Sequence, residues 1–195
     1  MPQAVRSEVM QDNGTSRLDN MRTSHTAFLG KSDPVIQCVL ERAAQLQGFY
    51  PIDSIEDLQL TAYTTGQQYH PHYDWFMEHL VPIMGHQNRG STFFVTLDAD
   101  CENCGTQFPR VAMDWRGRDK RWCDLVECEN NDAVTIKAKP GSAVYWQNLD
   151  ADGYGNPKTL HAGLPVPEGK KIGMNIWTRV ATPWSMKAAG ASLTY

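Results

Sequence analysis

Short β-forming segments separated by turn residues fill most of this sequence and restrict the folds open to it. Residues 58–63 alternate between apolar and polar side chains, as in a strand with one face in the core. Residues 92–97 form an unbroken β-branched and aromatic run, which predicts a well-buried strand. Further strands are predicted at 134–136, 141–148 and 172–179. With one early helix, they predict a mainly β chain with a flanking helix, built on a double-stranded β-helix, the jelly-roll core of cupin-like folds.

The early helix is predicted to begin where Asp33 offers an N-cap acceptor and Pro34 takes the first helical position. Apolar residues at helical spacing predict a face that packs on a sheet, and these are Val35, Ile36, Val39, Leu40, Ala43 and Leu46. Gly48 provides a C-terminal stop. Cys38 falls within the helix and is expected to be a small, buried apolar residue.

The length of 195 residues predicts one domain that covers residues 1–195. The formal net charge of -4 gives no broad basic surface, so we expect no nucleic-acid partner. No apolar run approaches the ~20 residues of a membrane span, and the first residues carry no signal-peptide core. We therefore expect a soluble protein of the cytoplasm or, if an N-terminal signal is missing, of the endoplasmic reticulum lumen. The sequence indicates no oligomeric state.

A candidate metal site begins with His72 and Asp74, which stand two residues apart and therefore share one face of an extended strand. An imidazole and a carboxylate placed in this way can hold two adjacent positions on one metal ion. His70 would share that face, so position alone does not choose between the two histidines. His161 is the best candidate for a third ligand. Two histidines and a carboxylate leave the opposite positions of the metal open, as in non-haem Fe(II) oxygenases.

Several motifs follow one another along the chain: Tyr63-x-x-Gly66-x-x-Tyr69-x-x-His72-x-Asp74, then Thr106-x-Phe108-Pro109, then His161 with Lys171 and Trp177. Their order and spacing resemble the prolyl 4-hydroxylase branch of the Fe(II)/2-oxoglutarate-dependent dioxygenases, with a catalytic domain of the fungal type. The likeness runs from Arg22 to about Trp177. It implies Fe(II), 2-oxoglutarate and O2 as cofactors, with ascorbate as the reductant. It places the catalytic metal ligands at His72, Asp74 and His161.

The resemblance also assigns residues to 2-oxoglutarate. Lys171 stands at the family spacing from His161, where its ammonium would pair with the distal carboxylate of this cosubstrate. Neighbours on a strand face opposite sides, so we expect Lys170 to face water. Tyr63 matches a tyrosine that hydrogen-bonds the cosubstrate, and Thr106 matches a threonine that lines its pocket.

Tyr69, Arg89 and Trp177 correspond to residues that contact the substrate in peptide-prolyl relatives. Arg179 stands where those relatives often have a histidine, and we assign it to the substrate site as well. If the substrate is a free amino acid, we expect Arg89 or Arg179 to bind its carboxylate through two parallel hydrogen bonds.

The function implied by the resemblance is hydroxylation of an unactivated C–H bond, with release of succinate and CO2. The substrate would be a prolyl residue of a peptide or free proline. An alternative is the same chemistry on another amino acid or a small secondary metabolite, with hydroxylation, desaturation or cyclisation as the outcome. A non-enzymatic alternative is a metal-binding jelly-roll module.

Two further segments leave alternatives open. Cys101-x-x-Cys104 and Cys123-x4-Cys128 could form one or two disulfides, remain as thiols, or bind a structural zinc ion. Residues 75–90 correspond to a mobile loop over the substrate in the family. Because apolar residues dominate this segment, a buried turn or helix is the alternative.

Overall fold

Two antiparallel β-sheets pack against each other in the computed structural model, which describes residues 4–11 and 13–188. A contact between the rings of Phe108 and Trp146, with centroids 5.2 Å apart, joins the two sheets. Within the described residues the strands are β1 (Val5–Arg6), β2 (Glu8–Met10), β3 (Ser16–Leu18), β4 (His25–Leu29), β5 (Leu58–Thr64), β6 (Tyr69–His72), β7 (Gln87–Ala99), β8 (Thr106–Phe108), β9 (Val134–Ile136), β10 (Ala143–Gln147), β11 (His161–Gly163) and β12 (Lys170–Ala181). The helices are α1 (Pro34–Leu46) and α2 (Pro183–Ala188), with 3-10 helices at Ile52–Ser54, Lys120–Asp124 and Pro157–Thr159.

Strand order defines the core of the fold. Among the described residues, the larger sheet runs β1-β4-β5-β12-β7-β10, and the smaller sheet runs β6-β11-β8-β9. β2 and β3 form a separate hairpin. In the larger sheet Lys171 of β12 lies opposite Tyr63 of β5, and in the smaller sheet His161 lies opposite His72. The mainly β, double-stranded β-helix prediction is confirmed.

The helix α1 covers one face of the larger sheet. The Asp33 side chain caps it by accepting a 2.8 Å hydrogen bond from the backbone N–H of Val35. Its buried face packs against strand residues, and this core contains Ile36, Leu40, Ala43, Ala44, Ile55, Leu58, Met174 and Ile176. The prediction of a buried Cys38 is wrong, because this position lies on the solvent side of the helix and its side chain is exposed. Val35 and Leu46 are exposed as well.

β5 is buried on both faces, although the alternation of its sequence predicted only one. Leu58 packs in the core beneath α1. Gln59 and Tyr63 point to the other side, where both are buried and line a cavity. One strand therefore connects the helix-covered core with the interior between the sheets.

Residues 75–86 form a series of turns, and β7 begins at Gln87. Phe76, Leu80 and Val81 are buried together in a small core, against which Met10, Met84 and Trp184 pack. The turn alternative describes the backbone of this segment, but its burial is only partial, since Met77 and Ile83 are exposed. Phe76 and Leu80 also line the cavity, so the segment forms part of its wall.

The four cysteines of the two loop motifs form disulfides between Cys101 and Cys104 and between Cys123 and Cys128. Structural zinc is therefore excluded as their role. The second disulfide lies in the mainly exposed segment between β8 and β9. Cys104 is almost completely buried beside Tyr63 and Val166. No helix within residues 4–11 and 13–188 is long and apolar enough to cross a membrane.

Candidate active site

Three potential metal ligands converge at one end of the smaller sheet. His72 ends β6, Asp74 follows it, and His161 begins β11 on the neighbouring strand. Nε2 of His72 lies 3.7 Å from Oδ1 of Asp74, and Nε2 of His161 lies 3.7 Å from Oδ2. The three ligand atoms are all within 4.8 Å of one another. This spacing fits two imidazoles and one carboxylate that bind the same metal ion.

Backbone carbonyls fix the orientation of both imidazoles. Nδ1 of His72 lies 2.9 Å from the carbonyl oxygen of His70, and Nδ1 of His161 lies 2.8 Å from that of Thr159. A carbonyl only accepts hydrogen bonds, so each Nδ1 carries the proton and each Nε2 keeps its lone pair. His70 has its side chain exposed and serves the site through its backbone. The structure therefore selects His72 rather than His70.

A chain of hydrogen bonds holds the Asp74 carboxylate. The Thr92 hydroxyl donates to Oδ2 at 2.8 Å. Nδ2 of Asn148 donates to that hydroxyl at 2.8 Å, and the Trp146 indole N–H donates to Oδ1 of Asn148 at 2.8 Å. All four side chains are buried, so the carboxylate has a fixed orientation without competition from water.

Burial and neighbouring charges set the protonation of these ligands. Burial, with repulsion from His161, lowers the pKa of His72 to about 3, so its imidazole is neutral at physiological pH. Burial alone would raise the pKa of Asp74, but attraction to His161 and His72 holds it below its usual value. A neutral imidazole and an ionised carboxylate are the forms that bind metal.

Lys171 supplies a buried cation in the same cavity. Its side chain is 1% exposed, and its ammonium donates to the carbonyl oxygens of Cys104 and Gly105. No carboxylate within the described part of the chain pairs with it, and burial lowers its pKa to about 8. Lys170 faces outward, where its ammonium pairs with Asp98 at 2.8 Å. The cavity thus contains a cation that an anionic ligand can neutralise.

A cavity of about 750 Å³ joins the three metal ligands to this lysine. Tyr63 and Thr106 are buried and line it. The Lys171 ammonium lies 5.0 Å from the centroid of the Tyr63 ring. The structure therefore brings the residues expected at the cosubstrate together in one space.

A sequence profile of the 2OG-Fe(II) oxygenase superfamily matches residues 58–179, which include all three metal ligands and Lys171. The chain belongs to this superfamily. It is 32% identical over 171 residues to Prolyl 4-hydroxylase 2 of Arabidopsis thaliana, covering 87% of this chain and 56% of that protein. Prolyl 4-hydroxylase 5 of Arabidopsis thaliana is 29% identical over 185 residues, covering 92% of this chain and 61% of that protein. The chain thus spans less than two thirds of the length of these relatives.

Among solved structures, the 2-oxoglutarate complex of a viral collagen prolyl hydroxylase from Paramecium bursaria Chlorella virus-1 is similar. Its TM-score is 0.59 with 25% sequence identity, and the match covers 82% of this chain and 80% of the viral chain. Within the 2OG-Fe(II) oxygenase superfamily, the chain is therefore prolyl 4-hydroxylase-like.

The site residues fit the Fe(II) and 2-oxoglutarate that the superfamily uses. His72, Asp74 and His161 would hold the iron, because their ligand atoms lie within 4.8 Å of one another and backbone carbonyls orient both imidazoles. Lys171 would hold the distal carboxylate of 2-oxoglutarate, because it is a buried cation with only carbonyl partners among the described residues.

Three of the four residues expected to contact the substrate line the cavity, and these are Tyr69, Arg89 and Trp177. The Tyr69 ring stacks on His72 with centroids 3.5 Å apart, and burial raises the pKa of its phenol to about 12. Trp177 is buried, and its indole N–H has no hydrogen-bond partner among the described residues. A protonated phenol at the cavity surface is a donor for a substrate oxygen.

The two arginines expected to bind a substrate carboxylate are instead engaged by Glu56. Arg89 donates from Nε and Nη2 to the two Glu56 oxygens at 2.9 and 2.8 Å, and its guanidinium lies 3.6 Å from the Trp177 ring centroid. Nε of Arg179 lies 2.8 Å from the same carboxylate. Arg89 lines the cavity, whereas Arg179 is not among the described residues that do.

Arg22 is a cavity residue for which sequence reasoning assigned no role. It lies between β3 and β4, forms a backbone bridge with Tyr69, and is 5% exposed. The sequence signal that could have drawn attention to Arg22 was the resemblance of the Arg22-Thr-Ser24 segment to the family. Gln59 also lines the cavity, and so does Asn175. Their inward orientation depends on strand pairing that no local pattern reveals.

Proposed function

We propose that this chain is an Fe(II)- and 2-oxoglutarate-dependent dioxygenase that hydroxylates an unactivated C–H bond of a prolyl residue or of free proline. Succinate and CO2 are the co-products. One observation carries this proposal: the His72, Asp74 and His161 ligands share one cavity with the buried cation of Lys171. A metal-binding module without catalysis would have no use for that cation, which is costly to bury without an anionic partner.

The bound Fe(II), together with O2 and 2-oxoglutarate, would supply the oxidising power for C–H hydroxylation. The protein holds the imidazoles and carboxylate in metal-binding form through the His70 and Thr159 carbonyls and the Thr92 hydroxyl. Lys171 fixes the cosubstrate and thereby its direction in the cavity. The buried rings of Phe76 and Trp177 line the cavity and would limit the access of water to the reacting carbon.

Proline is the proposed substrate because the relatives are named as prolyl 4-hydroxylases. Tyr69 and Trp177 are the proposed contacts, since both line the cavity and the Tyr69 ring stacks on the metal ligand His72. The Arg89 guanidinium, which Glu56 holds in place, lies over the Trp177 ring and would fix the orientation of that ring.

The test is succinate formation from 2-oxoglutarate with Fe(II) and ascorbate, which we propose as the reductant. Proline-rich peptides, L-proline and other amino acids are assayed side by side, and mass spectrometry identifies the oxygenated product. We expect prolyl compounds to stimulate succinate formation and to gain one oxygen atom. Stimulation by none of them, or by non-prolyl compounds alone, would contradict the proposed substrate.

We further propose that this enzyme works in an oxidising compartment, the endoplasmic reticulum lumen rather than the cytoplasm. The support is the pair of disulfides, since such bonds persist in oxidising surroundings. Trapping of free thiols in cell extracts, followed by mass mapping of the cysteines, tests it.

A further inference from the structure

Arg22 is a buried cation with neutral partners only. Only 5% of the Arg22 residue is exposed to solvent. Nε donates to the Ser24 hydroxyl at 3.2 Å, and Nη2 donates to Oε1 of Gln59 at 2.9 Å. Its guanidinium also lies 4.8 Å from the centroid of the Tyr69 ring. No carboxylate within residues 4–11 and 13–188 forms an ion pair with it.

The partners of Arg22 hold it in place without neutralising it. Oε1 of Gln59 accepts from Arg22 and also from Nδ2 of Asn175 at 3.0 Å, so the amide is fixed from two sides. A guanidinium has five N–H donors in a planar fork, and these contacts use two of them. The remaining donors can bind a planar acceptor through two parallel hydrogen bonds, which a carboxylate matches.

Charge balance in the cavity points to the same conclusion. In the proposed assembly, the positive charges of Fe(II) and Lys171 balance the negative charges of Asp74 and the 2-oxoglutarate dianion. Arg89 and Arg179 share Glu56, and the half-buried Arg179 keeps contact with solvent. Arg22 is then the buried cation left without a counter-ion. One carboxylate is sufficient to neutralise a guanidinium that has no carboxylate contact of its own.

Arg22 lies close to the reaction site. Tyr69, which contacts its guanidinium, stacks directly on the metal ligand His72, and all three residues line the same cavity. A small substrate whose carboxylate is bound at Arg22 would therefore lie in the same cavity as the metal ligands.

We propose that Arg22 binds a free carboxylate of the substrate, so that the enzyme acts on an amino acid or on the C-terminal residue of a short peptide rather than within a chain. This inference rests on the proposed function. It transfers the carboxylate-binding role expected of Arg89 or Arg179 to a residue that has no carboxylate partner in the described structure.

The experiment compares each carboxylic acid with its carboxamide. The probes are L-proline with L-prolinamide, N-acetyl-L-proline with N-acetyl-L-prolinamide, and the same pairs for other amino acids. The free forms represent amino acids and the acetylated forms represent chain ends. The readout is kcat/KM for substrate-stimulated succinate formation. We expect the acids to be preferred by about 10- to 150-fold, because a charge-assisted contact is typically worth about 1.5–3 kcal/mol.

Variants identify the residue responsible. Arg22→Gln should reduce the acid preference to about threefold or less, with the amides and the KM for 2-oxoglutarate nearly unchanged. Arg22→Lys should keep part of the preference, since it retains the charge but loses the planar fork. Arg17→Gln is the matched control, because Arg17 also lines the cavity but is largely exposed and pairs with Asp19. Melting temperatures check that each variant folds.

The outcomes separate this inference from the proposed function. Equal use of acids and amides by the wild type, or an unchanged preference in Arg22→Gln, overturns the role of Arg22 even when succinate is formed. If the wild-type protein neither binds nor turns over 2-oxoglutarate, the proposed function is refuted. Direct binding of the same probe pairs, measured by calorimetry, needs no turnover, and no preference for the acids there overturns the inference about Arg22 as well.

Discussion

The hydroxyl of Thr92 donates a 2.8 Å hydrogen bond to Oδ2 of Asp74 and in turn accepts one from Asn148. The carboxylate is thereby held by a side chain of the larger sheet, although it follows a strand of the smaller one. The metal site depends on how the two sheets meet.

Replacing Thr92 by valine removes this hydrogen bond at nearly constant volume. We expect metal affinity to fall by about 10- to 100-fold, as is typical when a partner that orients a ligand is lost. Calorimetric titration with Mn(II) measures it. Thr96→Val is the control, because Thr96 is also buried on β7 but does not contact Asp74. Equal losses in both variants would show that the effect is general packing.

Alanine at His72, Asp74 or His161 should abolish Fe(II)-dependent succinate formation while circular dichroism shows a retained fold. Each side chain supplies one of three ligands, and the described residues offer no other cluster of this kind. His70→Ala is the control. Its exposed side chain is removed, but the carbonyl that orients His72 remains, so activity should persist. Full activity in any of the three ligand variants would remove that residue from the site.

Lys171→Met should raise the KM for 2-oxoglutarate by about 10- to 150-fold, the equivalent of losing a charge-assisted contact of about 1.5–3 kcal/mol. Metal affinity should change little, because the ammonium contacts carbonyl oxygens rather than the metal ligands. Lys170→Met removes an outward-facing cation that pairs with Asp98 and should be near neutral. The reverse pattern would mean that the cosubstrate is bound from the other side of β12.

The affinity for 2-oxoglutarate should fall as the pH rises above about 8. The pKa of Lys171 is lowered to about 8 by burial, and a bound carboxylate favours the ammonium and raises this pKa. Below about pH 8 the lysine is already charged, so affinity is flat. Above it, binding must take up a proton, and affinity falls by up to about tenfold per pH unit.

Calorimetry with Mn(II) in place of Fe(II) gives the dissociation constant without turnover, and buffers of different ionisation enthalpy report the proton uptake. The Lys171→Met variant should show neither the fall in 2-oxoglutarate affinity with rising pH nor the proton uptake on binding. Linkage also predicts that the free energy of unfolding of the ligand-free protein increases as pH rises from about 8 towards 10.5. In this range Lys171 is protonated in the unfolded chain but has lost its proton in the folded protein.

Local patterns in the sequence were sufficient for the elements and residues that depend on neighbours in the chain. The spacing of His72 and Asp74 placed both side chains at one site, and the alternation along β12 separated Lys171 from Lys170. Asp33 and Pro34 marked the start of α1. In each case the deciding geometry is set by strand or helix periodicity.

The features that the sequence did not reveal depend on contacts between distant segments. Arg89 and Arg179 are direct partners across β7 and β12, so both guanidinium groups reach Glu56, which precedes β5. No local sequence pattern indicates that Arg89 and Arg179 share the Glu56 carboxylate. None indicates that Arg22 has no carboxylate partner among the described residues. The exposure of Cys38 was missed because composition favours burial for cysteine while its helical position faces away from the sheet.

The burial of β5 on both faces limits how the specificity of this protein can diverge. A change at Leu58, Gln59 or Tyr63 alters the packing of the helix-covered core or the cosubstrate pocket, so such changes carry a cost in folding. The hairpin of β2 and β3 also lines the cavity, but most of its side chains are exposed or half-buried. Over evolutionary time, new substrate preferences should therefore arise by substitution and length variation in this hairpin, while the central strands stay nearly invariant.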